Sequence, residues 1–225
     1  MKSGLLGLTS LITLILTAMW LVLVVVGLST EGPVETFEEA VASVAEPGAL
    51  FYLTYINATL VTLSATVLFT VLYSHFQAPA LRVSVIGVMF VPVYCVLNLL
   101  VYVSQIAVIP RLLVFQRMAI YEPAASLLIG QMVQQWSGSA IAALNNLAYA
   151  ILGIPSIIFG ALLLRQSRLL QVAGALLALN GIACLIGLAG TIAQSRVLQM
   201  GSLVGGILFL LALISLTLAS LREGK

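Results

Sequence analysis

The sequence predicts an all-α protein, a polytopic bundle of six transmembrane helices that forms a single domain over residues 1–225. Of its residues, 62% are hydrophobic and only 7% are charged, and the mean hydropathy is +1.20. A soluble domain carries about 25% charged residues, so this composition is typical of a protein whose surface faces lipid. Six apolar runs are each long enough to cross the hydrocarbon core as a helix, which needs about 20 residues.

Each predicted span is an apolar run without Asp, Glu, Lys or Arg. The six runs cover residues 5–28, 49–73, 83–109, 140–164, 169–193 and 203–221. The first run is longer than the ~7–15-residue apolar core of a secretory signal and has no Ala-x-Ala site, so we expect it to be retained as the first helix. Pro92 and Pro155 lie inside the third and fourth runs, where each is expected to bend its helix. Pro110 is expected to end the third helix.

The positions of Lys and Arg predict how the spans are oriented. Cytoplasmic loops carry an excess of these residues. With the N-terminus inside, six basic residues lie on the inner side and three on the outer side, so both termini are predicted to be cytoplasmic. The inner residues are Lys2, Arg82, Arg165, Arg168, Arg222 and Lys225, and the outer residues are Arg111, Arg117 and Arg196.

Two long connections, residues 29–48 and 111–139, then lie outside, and each is predicted to hold a short amphipathic helix. These helices are expected to lie in the outer membrane interface or to fold over the bundle. In the first connection, residues 29–33 are expected to begin the helix and Pro47 and Gly48 to end it. In the second, Pro123 suits the first turn. The apolar positions at helical spacing are Val34, Phe37, Val41 and Val44 in the first segment and Ala125, Ile129, Met132, Val133 and Trp136 in the second.

Reactive side chains are scarce, and this argues against an enzyme. The chain has a single His, His75, and no Asp, and the six runs hold no acidic or basic residue of the kind that marks proton relays and ion paths. Cys95 and Cys184 have no Cys or His at metal-ligand spacing. We therefore expect no catalytic residue, metal or cofactor. The net charge of +2, without a basic run, argues against a nucleic-acid partner.

Neutral polar side chains within the runs are the strongest functional signal. Tyr94, Asn98, Tyr102 and Gln105 follow one another at helical spacing on one face of the third span. Polar residues in the second and fourth spans are expected at a similar height, in the outer half of the bundle. They either hydrogen-bond between helices or line a small cavity, open to the outer side, that binds a neutral or amphipathic ligand. The candidate ligand-binding residues are Asn57, Tyr94, Asn98, Tyr102, Gln105, Asn145 and Asn146.

Several local features occur together along most of the chain. An apolar first run precedes a long connection, residues 65–73 end the second span, Pro92 and Tyr94 lie in the third with Asn98 and Gln105, and residues 168–174 enter the fifth. On these features the chain resembles the small bacterial membrane proteins of domain-of-unknown-function family forty-three eighty-six. The resemblance implies a bundle of six or seven helices and no established activity. We therefore expect a multi-pass protein of a bacterial cytoplasmic membrane.

Two functional hypotheses follow for a chain embedded in the lipid bilayer. The first is a non-enzymatic protein that either binds a lipid or small apolar ligand in the outer half or serves as an accessory subunit of a membrane complex. The polar cluster favours ligand binding, and the apolar spans favour the accessory role. The alternative is a transporter of a neutral or amphipathic solute. Small residues of the fifth span, among them Gly174, Gly181 and Gly187, predict close helix packing, within the bundle or in a homodimer.

Overall fold

The computed structural model describes residues 3–32 and 34–223. In these ranges it is all-helical, with 84% helix and no strand. Six helical stretches are long and apolar enough to cross a membrane, as predicted, so the chain is a multi-pass membrane protein. The helices are α1 (Ser3–Glu31), α2 (Phe37–Ser43), α3 (Ala49–Phe76), α4 (Leu81–Met89), α5 (Val91–Ala107), α6 (Ile109–Gln116), α7 (Glu122–Met132), α8 (Ala140–Leu163), α9 (Arg168–Ile192), α10 (Arg196–Gln199) and α11 (Gly201–Glu223).

The third span is built from three helices, α4, α5 and α6, which are separated by single residues. Proline lacks an amide proton, and its ring clashes with the carbonyl group four residues earlier. Pro92 and Pro110 therefore each stand in the first turn of a new helix. Pro92 begins α5 instead of bending a continuous helix. Pro110 was expected to end the third helix; α5 ends at Ala107, and Pro110 lies in the first turn of α6, which continues the apolar stretch to Gln116. Pro155, by contrast, lies inside α8, which continues through it.

The helix predicted between the first two spans is shorter than expected and begins later. Residues 29–31 extend α1, so the predicted start at residues 29–33 is wrong, and Pro33 lies outside the described residues. Thr36 and Glu39 form a capping box that starts α2 at Phe37. The Glu39 amide donates to Thr36 Oγ1 over 3.2 Å, and the Thr36 amide donates to Glu39 Oε2 over 3.0 Å. The helix ends at Ser43, well before the predicted stop at Pro47 and Gly48.

Six helices form a closed ring, in which α1 packs against α3, α3 against α5, α5 against α8, α8 against α9, α9 against α11, and α11 against α1. Helices α8 and α9 are antiparallel, because Gly153 lies against Gly181 and Gly160 against Gly174. The contact requires glycine, since a Cβ atom on Gly153 would stand 2.7 Å from the Gly181 carbonyl oxygen. The small residues of α9 therefore pack within the bundle, which is one of the two roles predicted for them.

One end of the ring carries α2, α6, α7 and α10, and we call it the cap end. Among the described residues, its basic side chains are Arg111, Arg117 and Arg196, and those of the opposite end are Arg82, Arg165, Arg168 and Arg222. Lys2 and Lys225, which the orientation prediction also counted, lie outside the described residues. The connections at the opposite end are short, residues 77–80 and 164–167, close to the gaps of 74–82 and 165–168 that the predicted runs leave.

The cap is a small apolar unit of its own, formed by α2, α6 and α7. Pro123 stands in the first turn of α7, as predicted. The Phe37 and Trp136 rings meet edge to face with their centroids 5.8 Å apart. The buried side chains that hold these helices together are Ala40, Val44, Ile109, Leu113, Ile129 and Val133.

The half of the ring away from the cap is filled by large side chains. Phe69 of α3 lies between Phe159 of α8 and Phe209 of α11, with ring centroids 6.0 Å and 6.4 Å apart. We call these three residues the aromatic core. They belong to one buried cluster with side chains such as Leu72 and Leu163, which are fully buried. The ring is therefore densely packed on the side of the aromatic core that faces away from the cap.

Candidate functional site

A cavity of about 470 Å³ occupies the ring between the aromatic core and the cap. Every helix of the ring contributes to its wall. The contributing residues come from the second half of α1 and α9, from the first half of α3 and α11, from residues 142–152 of α8 and from both halves of α5. They include Thr17 and Trp20 of α1, Ala58 and Val61 of α3, Tyr94 and Tyr102 of α5, Asn145, Asn146, Tyr149 and Leu152 of α8, Asn180 and Cys184 of α9, and Ser202, Leu203, Gly206 and Phe209 of α11.

The mouth of the cavity lies at the cap end and is polar. Arg196 Nη1 lies 3.7 Å from Glu35 Oε1, and both side chains are largely exposed, so this ion pair faces solvent. Gln134, Gln135 and Gln199 lie beside the pair on the rim of the cavity. An exposed ion pair contributes about 0–1 kcal/mol at most, so a ligand can replace it at little cost.

The middle of the wall holds hydroxyl and amide groups that tie the helices together. The hydroxyl oxygens of Tyr102 and Tyr149 lie 2.6 Å apart, and the hydrogen bond between them joins α5 to α8. Asn146 Nδ2 donates to Thr191 Oγ1 over 2.9 Å, and Asn146 Oδ1 accepts from Ser202 Oγ over 2.8 Å. These bonds order one side of the cavity, and they involve two of the predicted residues, Tyr102 and Asn146.

Two buried amide oxygens in the wall are without a hydrogen-bond partner. Asn180 Nδ2 donates to the Gly205 carbonyl oxygen over 2.9 Å, but Asn180 Oδ1 has no partner. Asn145 Oδ1 is likewise unpartnered, although Asn145 is only 8% exposed. Buried polar groups are nearly always hydrogen-bonded, so these oxygens mark positions where a water molecule or a ligand donor would be stabilised.

The floor of the cavity is largely apolar, with the Tyr94 phenol and the Asn180 amide at a similar depth. Leu152 of α8 and Phe209 of α11 line its deepest part, and Phe209 also belongs to the aromatic core. Leu152 lies twelve residues into α8, which at 1.5 Å per residue places the floor roughly 18 Å below the start of that helix. The cavity therefore penetrates to about the middle of a bilayer-sized span, about 30 Å thick.

The structure divides the seven predicted site residues into two groups. Tyr94, Tyr102, Asn145 and Asn146 line the cavity. Asn57, Asn98 and Gln105 are buried but do not line it.

Each member of the second group hydrogen-bonds another segment. Asn57 Nδ2 donates to the Leu16 carbonyl oxygen of α1 over 3.0 Å, and Asn98 Nδ2 donates to Thr62 Oγ1 of α3 over 3.2 Å. Gln105 holds the end of α7, since its Nε2 donates to the Met132 carbonyl oxygen over 2.7 Å. These three residues therefore hydrogen-bond between helices or to the cap and do not line the cavity. Hydrogen bonding between helices was the other interpretation of the polar cluster.

Several wall residues were not among the predicted site residues. Asn180 is a polar residue within an apolar run, so it carried the same signal as Asn145 but had no polar neighbours in sequence. Trp20 had no signal of its own in the uniformly apolar first run. Glu35 and Arg196 meet at the mouth although 161 positions separate them, and no local pattern indicates such a pair.

Metal-binding groups do not come together in the part of the chain that the structure describes. No three His, Cys or acidic side chains there could hold a metal ion. Cys95 and Cys184 are both free, and only Cys184 lines the cavity. The cavity wall thus offers hydroxyl, amide and apolar groups, with one cation and one carboxylate at the mouth.

Comparisons with protein-family models, with curated proteins and with solved structures find no match to this chain. The resemblance to domain-of-unknown-function family forty-three eighty-six stays a prediction.

Proposed function

We propose that this chain is a non-enzymatic membrane protein that binds a lipid or another small amphipathic ligand in its central cavity. The observation that carries the proposal is the cavity itself, about 470 Å³ in volume, open at the cap end and closed below by Phe209. Binding sites for small molecules usually measure about 300–1,000 Å³ and combine apolar walls with a few placed polar groups. This cavity has both properties.

The distribution of polarity supports an amphipathic ligand. The apolar floor at Leu152 and Phe209 suits a hydrocarbon part. The unpartnered oxygen of Asn145 suits a hydroxyl or amide donor, and the Glu35–Arg196 pair suits a polar head group. Burying the hydrocarbon part would stabilise the complex by about 25 cal/mol for each Å² of apolar surface removed from water.

We further propose that the cap end faces away from the cytoplasm and that the cap lies in the outer membrane interface. The excess of basic residues at the opposite end, with Lys2 and Lys225 counted there from sequence, supports an orientation with both termini inside. In a bacterial cell this would place the cavity mouth at the outer surface of the cytoplasmic membrane.

Binding is favoured over transport by the packing beneath the cavity. A transporter alternates access to a site between two faces. Here the aromatic core and the buried side chains around it fill the other half of the ring. The described residues also place no acidic or basic side chain in the cavity wall below the mouth, so proton coupling has no carrier there.

Native mass spectrometry of protein extracted gently from its own membrane tests the proposal. Gly206 lines the cavity, and a Cβ atom built on it meets no other atom within 4 Å, so Gly206→Phe would fill the cavity with little strain on the fold. Gly4→Phe is the matched control, because Gly4 also has no atom near its Cβ position but does not line the cavity.

We expect a small molecule or a specific lipid to remain bound to the natural protein and to Gly4→Phe, and to be lost from Gly206→Phe. Equal retention by both variants, at matched thermal stability, would contradict the proposal. If a protein partner remained bound and no small molecule did, the chain would instead be an accessory subunit.

A further inference from the structure

A second cavity, of about 290 Å³, lies between α1 and α3 at the cap end. Its wall is formed largely by Leu23, Val24 and Gly27 of α1 and by Leu50 and Phe51 of α3. These residues belong to two spans that pack side by side in the ring. The side cavity therefore lies at a seam of the ring.

Trp20 stands between this side cavity and the central cavity. It lines both of them, and it also lines a small cleft between α1 and α11. Tyr102, Gln134 and Gln135 are likewise shared by the two larger cavities. Beside Trp20, Thr17 lines the central cavity with a buried hydroxyl oxygen that has no hydrogen-bond partner. The two cavities are therefore separated by single side chains.

The seam is bounded by the least buried helix of the ring. In an 18-residue apolar window of each span, 11% of α1 is buried, against 28–56% for the other five. Near the side cavity, the Asn57 side chain holds α1 through the Leu16 carbonyl oxygen. Helix α1 also leaves space at Gly27, where a Cβ atom would meet nothing within 4 Å. Such a seam can open by a small displacement of α1.

We propose that the side cavity is a lateral portal, through which an acyl-chain amphiphile passes from the bilayer past Trp20 into the central cavity. The proposal rests on the binding function proposed above and specifies the ligand class, a long-chain amphiphile drawn from the membrane. Its chain would extend towards Phe209, and its head group would remain at the Glu35–Arg196 mouth.

The route follows from the polarity of the two openings. An acyl chain that entered through the mouth would first leave the bilayer for water, which is unfavourable for each methylene group exposed. It would then cross a rim formed by Glu35, Arg196 and Gln199. The α1–α3 seam instead presents Leu23, Val24 and other apolar side chains, and none of the described residues that line it is charged. Gln134 and Gln135 lie where it adjoins the central cavity, so a chain that enters there avoids the ion pair of the mouth.

Time-resolved photolabelling tests the portal. The full-length protein is reconstituted in phosphatidylcholine vesicles that contain, as a minor component, lysophosphatidylethanolamine with a diazirine in its acyl chain. Labelled peptides from α8 and α11 report arrival in the central cavity. Gly27→Trp fills the portal, Gly206→Phe fills the central cavity, and Gly4→Trp is the control on the same helix as Gly27.

We expect Gly27→Trp to lower the initial rate of α8 and α11 labelling several-fold and to leave the final extent unchanged, with Gly4→Trp behaving as the natural protein does. An initial rate in Gly27→Trp equal to that of Gly4→Trp would overturn the portal while leaving cavity binding intact. Equal labelling of the natural protein and Gly206→Phe would instead overturn the binding function itself. Circular dichroism and thermal unfolding of each variant establish that a slower rate does not arise from misfolding.

Discussion

The hydroxyl groups of Tyr102 and Tyr149 lie 2.6 Å apart and join α5 to α8 in the wall of the central cavity. Replacing Tyr149 with Phe leaves the Tyr102 hydroxyl without this partner in a buried site. We expect the loss of about 1–3 kcal/mol in unfolding free energy that an unpaired buried group brings. Thermal unfolding in detergent micelles measures it. The double variant Tyr102→Phe/Tyr149→Phe is expected to lose less than the sum of the two single variants, and strict additivity would contradict a direct bond.

The glycine contact between α8 and α9 predicts a difference between two Gly-to-Ala substitutions. A Cβ atom on Gly181 would overlap the Gly153 carbonyl oxygen, so Gly181→Ala forces the two helices apart. We expect Gly181→Ala to lower the free energy of unfolding by about 1–3 kcal/mol, as is usual for overpacking. Gly206→Ala is the control, since its Cβ meets open space, and we expect it to be neutral or stabilising by up to about 1 kcal/mol. Equal effects on the unfolding temperature would be inconsistent with the contact.

The hydrogen bonds of Gln105 attach the cap to the ring, and their removal is expected to loosen it. Its side chain is fully buried, donates to the Met132 carbonyl oxygen and accepts from the Gln134 amide over 3.2 Å. Gln105→Leu leaves the Met132 carbonyl and the Gln134 amide without this partner. We therefore expect faster hydrogen exchange at the Gln134 amide and a free energy of unfolding lower by about 1–3 kcal/mol. Gln131→Leu is the control, since Gln131 bonds the Ala140 amide at an exposed position. If both variants exchanged alike, the bonds of Gln105 would have no special role.

The capping box of α2 predicts a transition at acidic pH. Hydrogen bonds from the backbone amides of Glu35 and Thr36 lower the pKa of the Glu39 carboxyl group. A lowered pKa means that the carboxylate stabilises the folded cap above the unfolded-state pKa of about 4.3 and that this stabilisation is lost as the pH falls through the lower folded-state pKa. We therefore expect α2 to loosen on acidification below about pH 4.

The Trp136 ring contacts Phe37 of α2, so its fluorescence reports this loosening. The chain has two tryptophans, and a Trp20→Phe background leaves Trp136 as the single fluorophore. Glu39→Gln should abolish the acid transition. Glu38→Gln should retain it, because it removes a first-turn charge and leaves the capping box in place. Persistence of the transition in Glu39→Gln would assign it to another group.

Local features of the fold could be predicted because their causes are local. Six apolar runs define six spans, since crossing a bilayer depends on length and hydropathy alone. Pro123 and the short connections at the end opposite the cap were also predicted correctly. The errors concern boundaries. Residues 29–31 suit either a helix end or a helix start, and Pro110 suits either a stop or a first turn, so pattern cannot decide between them.

The site could be predicted only in part, because a polar residue can satisfy its hydrogen bonds in more than one way. Asn98 and Asn145 are both amides within apolar runs, and the side-chain oxygen of each is without a partner. Yet the Asn98 amide nitrogen bonds Thr62 of the neighbouring helix away from the cavity, whereas Asn145 lies in the cavity wall. Spacing along a helix shows which side chains share a face, but it does not show which helix that face meets.

The sequence by itself determined that this chain is an apolar bundle of six spans, with little acidic or basic chemistry inside them. Only the tertiary structure decided that the spans close into a ring, that Phe69 and its neighbours fill one half, and that the other half remains open beneath the cap. The physical reason is that hydropathy acts on each segment separately. A cavity, in contrast, depends on the rotation and contact of all six helices at once.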